Sequence, residues 1–222
     1  MRYIDFIEQQ HRSTKRDYVG RVNEASKAEC AAKAKEWGFD FWDGDRKYGY
    51  GGYRYDGRWA PIAQKMIEHY GLTPGMKVLD VGCGKAHLLY EIMKAVPGVE
   101  VMGIDISEYA IAHTLPEIEP YLQIGKAQEL DKFMFKEQEF DLVISLTTLH
   151  NLYIYDLFKA MKDIERIARH SYIVVESYRN EEEKANLLYW QLTCESFFRP
   201  EEWEWIYRQC GYTGDYSFIY FE

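Results

Sequence analysis

Apolar and polar positions alternate along this chain in two distinct rhythms. Short apolar runs at Lys77–Val81, Val101–Asp105, Tyr121–Ile124, Phe140–Leu146 and Tyr172–Glu176 read as strands. Between them lie segments of helical period. Leu88–Val96 is a helix stopped by Pro97-Gly98, and Ser107 can cap a helix after the second strand. Asp156–Ala168 places Leu157, Phe158, Met161 and Ile164 on one face. Upstream, Trp59–Tyr70 reads as a helix with Pro61 in its first turn, Ile62, Met66, Ile67 and Tyr70 on one face, and Gly71 after its end. Thr73-Pro74-Gly75 is the turn feeding the first strand. Glu181–Glu183 reads as a solvated helix start, Glu201–Cys210 as a helix ended by Gly211, and Tyr216–Phe221 as a final strand. Strands that alternate with helices imply an α/β fold with a Rossmann-like, doubly wound and mainly parallel sheet.

The first 58 residues lie outside this alternation. Residues 1–38 read as helical and amphipathic, with Asn23 as an N-cap and Gly38 marking an end. Residues 39–58 are rich in Gly, Asp and Tyr, lack a period, and read as an ordered loop. The chain therefore divides into an N-terminal segment, 1–58, and an α/β core, 59–222.

The chemistry concentrates where the first strand ends, in Val78-Leu79-Asp80-Val81-Gly82-Cys83-Gly84-Lys85-Ala86-His87. A carboxylate precedes a glycine turn, and a second, Asp105, closes the next strand roughly 20 residues on. That spacing suits a nucleoside ligand whose ribose hydroxyls need an acceptor. A nicotinamide fingerprint wants a third glycine where this chain has His87. The alternative acid-x-Gly-x-Gly-x-Gly pattern fits Asp80, Gly82 and Gly84, with Ala86 in the third glycine's place. Alanine is well suited there at negative φ and strained at positive φ.

From about Trp59 onward the chain resembles the class I S-adenosylmethionine-dependent methyltransferase superfamily, and within it the small-molecule enzymes of the quinone-biosynthesis type. The resemblance implies S-adenosylmethionine as cofactor. It also implies that the Gly82-Cys83-Gly84 turn faces the methionine part and that Asp80 holds its ammonium group. Asp105 would accept from the ribose and Ile106 would pack on the adenine. Gly125-Lys126-Ala127-Gln128 departs from the family's Gly-Asp-Ala, leaving the Ala127 backbone and the Gln128 side chain for the adenine edge. Phe140–Leu146 matches the fourth motif and brings Ser145 to the cofactor. The Thr147-Thr148-Leu149-His150-Asn151 stretch after it should reach the crevice, with His150 as the candidate general base. The fold of this superfamily ends in an antiparallel strand pair, but the chain after Gly211 has room for one clear strand, whose partner the sequence leaves open.

In related enzymes the chain before the core forms a lid. Here that stretch holds Tyr48, Tyr50, Tyr53, Tyr55 and Trp59, suited to cation–π contact, and Arg46, Arg54 and Arg58, suited to clamping a carboxylate or phosphate. The segment resembles that of some bacterial saccharide- and capsule-tailoring methyltransferases.

Composition narrows the classes. The net charge is −9, without a basic stripe, which argues against nucleic acid, and no apolar run reaches membrane-span length. The Asn/Asp-Pro-Pro-aromatic signature of many nucleic-acid and protein N-methyltransferases is absent. The four cysteines lack metal or redox spacing and Met1–Asp5 lacks a signal core, so the expectation is a cytoplasmic protein with reduced thiols and no metal. The expected function is methyl transfer to a small polar metabolite or saccharide-linked group. The competing readings are an NAD-type dehydrogenase and a non-catalytic cofactor-binding protein. Nothing in the pattern fixes the oligomeric state.

Overall fold

The structure is a computed structural model that describes residues 1–8 and 16–222. The strands are β1 (Arg2–Tyr3), β2 (Lys77–Val81), β3 (Glu100–Asp105), β4 (Leu122–Ile124), β5 (Phe140–Leu146), β6 (Ala168–Glu176) and β7 (Asp215–Ile219). Among the described residues they form one sheet in the order β1-β7-β6-β5-β2-β3-β4, with every pairing parallel. The order reverses between β2 and β5, and the crevice above their C-terminal ends is where open α/β sheets bind ligands.

Helices cover both faces because the central strands are apolar on both sides. On one face Val78, Leu142, Ile144, Tyr172 and Val174 pack with Ile62, Ala63 and Met66 of α4 (Ala60–Tyr70) and Leu88, Leu89 and Ile92 of α5 (His87–Ala95). On the other, Leu79, Val81, Val143, Ile173 and Val175 meet Leu157, Met161 and Ile164 of α7 (Ile154–Ile167) and Trp203, Ile206 and Tyr207 of α9 (Pro200–Cys210). Helix α6 (Glu108–Ala112) is capped by Ser107, whose Oγ accepts from Ala110 N at 2.9 Å. Gly71 and Gly211 end α4 and α9 in the left-handed region, as their positions predicted.

The N-terminal segment departs from the helical reading of residues 1–38, since Arg2–Tyr3 is a strand and the helices are short. Asp17 caps α1 (Tyr18–Glu24), and Ser26 caps α2 (Lys27–Ala34) after an extended break at Ala25. Asn23 thus lies inside α1 and caps nothing, and Gly38 ends no helix, because α2 stops at Ala34 and Gly38 instead precedes the next helical turn. The part of the expected helix at 9–15 falls outside the described residues. The 39–58 stretch contains a helical turn, α3 (Phe39–Trp42), and a 3-10 turn (Arg46–Tyr48), held by edge-on contacts of Phe41 with Trp37 and Trp42. In α8 (Glu181–Trp190), Glu181 and Glu182 are solvated, whereas Glu183 is buried against Arg179.

The open question at the C-terminus resolves in an all-parallel way. With α9 as crossover, β7 lies parallel to β6, from Tyr172↔Asp215 to Glu176↔Ile219. The first residues of the chain supply its other neighbour: Arg2 pairs with Asp215 and Tyr3 with Tyr216. Asp215 organises this edge, accepting from Arg2 Nε at 3.0 Å, Tyr70 Oη at 3.1 Å and His69 Nε2 at 3.0 Å. All four cysteines are free thiols, and no described helix is long and apolar enough to cross a membrane.

Burial opposes ionisation of Asp215, but its bonds from Arg2, His69 and Tyr70 outweigh this and hold the carboxyl below its usual range. A depressed acid adds stability above its unfolded pKa of about 4 and loses it as pH falls through the folded value. Asp215→Ala should therefore lower the thermal midpoint by a few degrees at pH 7, with the deficit shrinking below about pH 4 in melts monitored by circular dichroism.

Candidate active site

A cavity of about 1070 Å³ opens above the crevice. Its floor begins at Asp80, 4% exposed, whose Oδ1 has no hydrogen-bond partner. Burial first, and then the neighbouring Asp105, push this carboxyl up to about 8. The chain then turns through Gly82 and Gly84, with φ of +82° and +56°. Both turns are packed as well as bent. A Cβ on Gly82 would sit 2.0 Å from Thr148 Oγ1, and one on Gly84 would sit 2.5 Å from the Trp42 ring. Ala86, in the third glycine's place, also has positive φ, +55°, so it carries the strain its side chain predicts.

Asp105 ends β3 at the same depth. Its Oδ2 accepts from Gly84 N at 2.7 Å and its Oδ1 from Ser107 N at 2.8 Å. Burial raises this carboxyl, and those backbone bonds work against the rise. Each oxygen keeps a further lone pair for a ligand hydroxyl. Cys83, Ile106, Ala127 and Gln128 line the cavity with them, and Ile106 is 44% exposed there.

The aromatic segment closes one side. Trp42 is buried, donates from Nε1 to Ser107 Oγ at 2.8 Å, and stacks on Tyr50 at 5.3 Å. Tyr53 stacks on His87 at 4.9 Å, and Trp59 Nε1 donates to the Tyr53 hydroxyl. Tyr50, Tyr53, Arg58 and Trp59 all face the cavity. The segment is latched by Asp43, which pairs with Lys85 Nζ at 2.6 Å and accepts from Tyr109 Oη at 2.9 Å.

Four sequence assignments lie elsewhere. Ser145 is fully buried beneath the cradle and donates to Val81 O, because its position on β5 points into the sheet packing. Tyr48 packs away from the cavity against the small cluster of Cys30, Ala34 and Leu192, with Lys33 and Lys47 over its ring. The Tyr55 hydroxyl donates to Glu91 on α5, and Arg54 is exposed away from the cavity.

Opposite the acid pair, the cavity reaches the ends of β5 and β6. Thr147 leaves β5 at φ +54°, a strained conformation for a β-branched residue. Just beyond it His150 is 2% exposed, its Nδ1 has no hydrogen-bond partner, and burial pushes it down to about 3. Its Nε2 lies 3.4 Å from Glu176 Oε2, which also has no hydrogen-bond partner. Burial pushes Glu176 up to about 8, against the donated bond from Gln191. Glu176 was missed in the sequence, although it ends an apolar strand just as Asp105 does. Cys194 brings its sulfur within 4.8 Å of both groups. Burial raises this thiol, which donates to Ser196 O at 3.4 Å.

These features define a class: a doubly wound domain with a glycine turn, two strand-end acids and a cavity at the switch point. A family model described as a methyltransferase domain matches residues 72–211, and the chain belongs to that family. A demethylmenaquinone methyltransferase of Lysinibacillus sphaericus is 32% identical over 114 residues, 49% of this chain and 47% of that protein. A ribosomal protein L11 methyltransferase of Thermosipho africanus is 28% identical over 114 residues, 51% of this chain and 41% of that protein. The chain thus spans less than half the length of either relative. A solved S-adenosylmethionine-dependent methyltransferase from Archaeoglobus fulgidus superposes with a TM-score of 0.53 at 25% identity, covering 69% of this chain and 68% of its own. S-adenosylmethionine is the cofactor that family and fold imply.

The residues present fit that cofactor. Asp80 is a buried carboxyl with one unpartnered oxygen beside the glycine turn, and an ammonium group there would complete it. Without a cation Asp80 is largely protonated at neutral pH, and a bound ammonium favours the ionised form. Binding of S-adenosylhomocysteine should therefore release a proton between about pH 6 and 8, and affinity should rise with pH across that window. Calorimetry in buffers of different ionisation enthalpy reads this directly. In Asp80→Asn the pH dependence should flatten and the affinity should fall.

Proposed function

We propose that this chain transfers a methyl group from S-adenosylmethionine to a small polar acceptor, a metabolite or a saccharide-linked group. The observation that carries the reading is one cavity holding an acid pair beside a glycine turn at one side and the unpartnered His150–Glu176 pair at the other. When bound, the cofactor supplies an electrophilic methyl on a sulfonium. The chain's own task is alignment, exclusion of water and removal of a proton.

Asp80 holds the ammonium group, and Asp105 accepts from the ribose while keeping the glycine turn in place. Ile106, Ala127 and Gln128 flank the base. The segment carrying Trp42, Tyr50 and Tyr53 acts as a lid, latched through Asp43 to Lys85 and Tyr109, and keeps water from the transfer. On the acceptor side Glu176, once ionised, faces His150 Nε2–H and fixes that tautomer. His150 Nδ1 is then left to take the proton of an acceptor hydroxyl or ammonium, with Glu176 stabilising the imidazolium. The two groups stand 3.4 Å apart.

The binding half is tested by calorimetry: S-adenosylhomocysteine should bind and NAD should not, the latter outcome being the opposite of what a dehydrogenase requires. Asp105→Ala removes charge-assisted bonds and should weaken S-adenosylhomocysteine by roughly 10- to 150-fold.

The chemical half is tested on turnover. His150→Ala should keep cofactor affinity and lose about 10²-fold or more in rate with an acceptor that must be deprotonated. Because Glu176 must be ionised, the wild-type rate should rise with pH through about 8. Glu176→Gln should lower the rate and flatten that limb. Preserved turnover per folded molecule in His150→Ala would make this histidine structural.

A further inference from the structure

The far wall of the cavity is lined by arginines, two of which, Arg21 and Arg46, meet no carboxylate among the described residues. Arg21 and Arg46 converge on Trp190, their guanidinium carbons 4.5 and 5.0 Å from its ring centre, and Arg16 stands at 5.5 Å. All three arginines line the cavity. Arg21 donates from Nε to Trp190 O at 2.9 Å and from Nη1 to Arg46 O at 3.0 Å, and Arg46 donates from Nη1 to Gly49 O. Those bonds anchor the two side chains through backbone carbonyls. They leave Arg21 Nη2, and Nε and Nη2 of Arg46, for another acceptor.

Among the described residues neither Arg21 nor Arg46 forms an ion pair with a carboxylate, and residues 9–15 contain no Asp or Glu. Other arginines behave differently: Arg2, Arg58, Arg166 and Arg179 each meet an acid. The contrast is sharper in a chain of net charge −9, where acids are in excess. Burial, and then the neighbouring Arg46, lower Arg21 to about 10, while burial, and then Arg16, lower Arg46. The indole face attracts each guanidinium, but the two like charges repel one another until an anion joins them.

We propose that the methyl acceptor carries an anionic group, a carboxylate or a phosphate ester, which the guanidinium forks of Arg21 and Arg46 bind at the Trp190 end of the cavity. The planar fork of arginine matches both oxyanions in two-bond geometry. At the cofactor side the carboxyls of Asp80 and Asp105 offer an anion no donor fork, so the arginines set which way the acceptor enters. The purpose of the subsite rests on the methyl-transfer reading; the subsite's preference for anions stands apart from it.

The experiment titrates pyrophosphate and malonate, separately, into the protein saturated with S-adenosylhomocysteine, read by calorimetry and by Trp fluorescence at low ionic strength. At least one anion should bind and weaken with added salt. Arg46→Gln and Arg21→Gln should each weaken it roughly tenfold or more, Arg46→Lys should lose less, and S-adenosylhomocysteine affinity should stay unchanged. Arg46→Gln alters an exposed turn, so it separates lost binding from lost folding if Arg21→Gln loosens the α1 packing. A preference for pyrophosphate identifies a phosphate ester, and a preference for malonate a carboxylate. Absence of binding by both anions, or equal binding to wild type and to Arg46→Gln, would overturn the proposal. If the anions bind in the unsaturated protein while S-adenosylhomocysteine does not bind, the anion subsite holds and the methyl-transfer reading fails.

Discussion

The Asp105 carboxylate holds the site together. One oxygen fixes Gly84 N and the other fixes Ser107 N, so the glycine turn after β2 and the start of α6 are tied to the end of β3. The Ser107 hydroxyl extends the tie. It accepts from Ala110 N and from Trp42 Nε1 and donates to Trp37 O. A single buried acid thereby positions the cradle, the helix behind it and the aromatic segment above it. Charge-assisted bonds to backbone amides suit this task, because they are short, directional and costly to break when buried.

Among the described residues the Tyr207 hydroxyl is buried without a partner in the core, but three such atoms meet at this cavity. Asp80 Oδ1, His150 Nδ1 and Glu176 Oε2 are each buried without a hydrogen bond, and all three residues line the cavity. An unmet buried donor or acceptor costs free energy of order 1–3 kcal/mol. A fold bears such a cost where a ligand recovers it. Charge is distributed unevenly as well: Arg16, Arg21 and Arg46 line the cavity together at the Trp190 end.

Much of this was legible in the one-dimensional pattern. Apolar runs broken by helical periods gave the doubly wound sheet, and Phe140–Leu146 is a strand with those limits. Glycine and proline marked ends correctly at Gly71 and Gly211, since backbone conformation is local there. Asp80, Gly82, Gly84 and Asp105 were visible together because a strand-turn-helix unit places them by sequence distance alone. The acid at the end of β6 was passed over, since no nearby glycine turn drew attention to Glu176.

Sequence by itself determined the class of fold, the glycine turn and the two acids, all consequences of local geometry and short-range spacing. Tertiary structure decided what depends on contacts between distant segments. It set β7 parallel to β6 with Arg2–Tyr3 at its side, a choice made by Asp215 reaching Arg2, His69 and Tyr70. It turned Ser145 into the packing beneath the cradle and directed Tyr48 and Tyr55 away from the cavity. It also brought Arg21 and Arg46, from different turns of the N-terminal segment, to the indole of Trp190 at the end of α8. Burial and long-range partnership are properties of the folded chain, and no periodicity along the sequence encodes them.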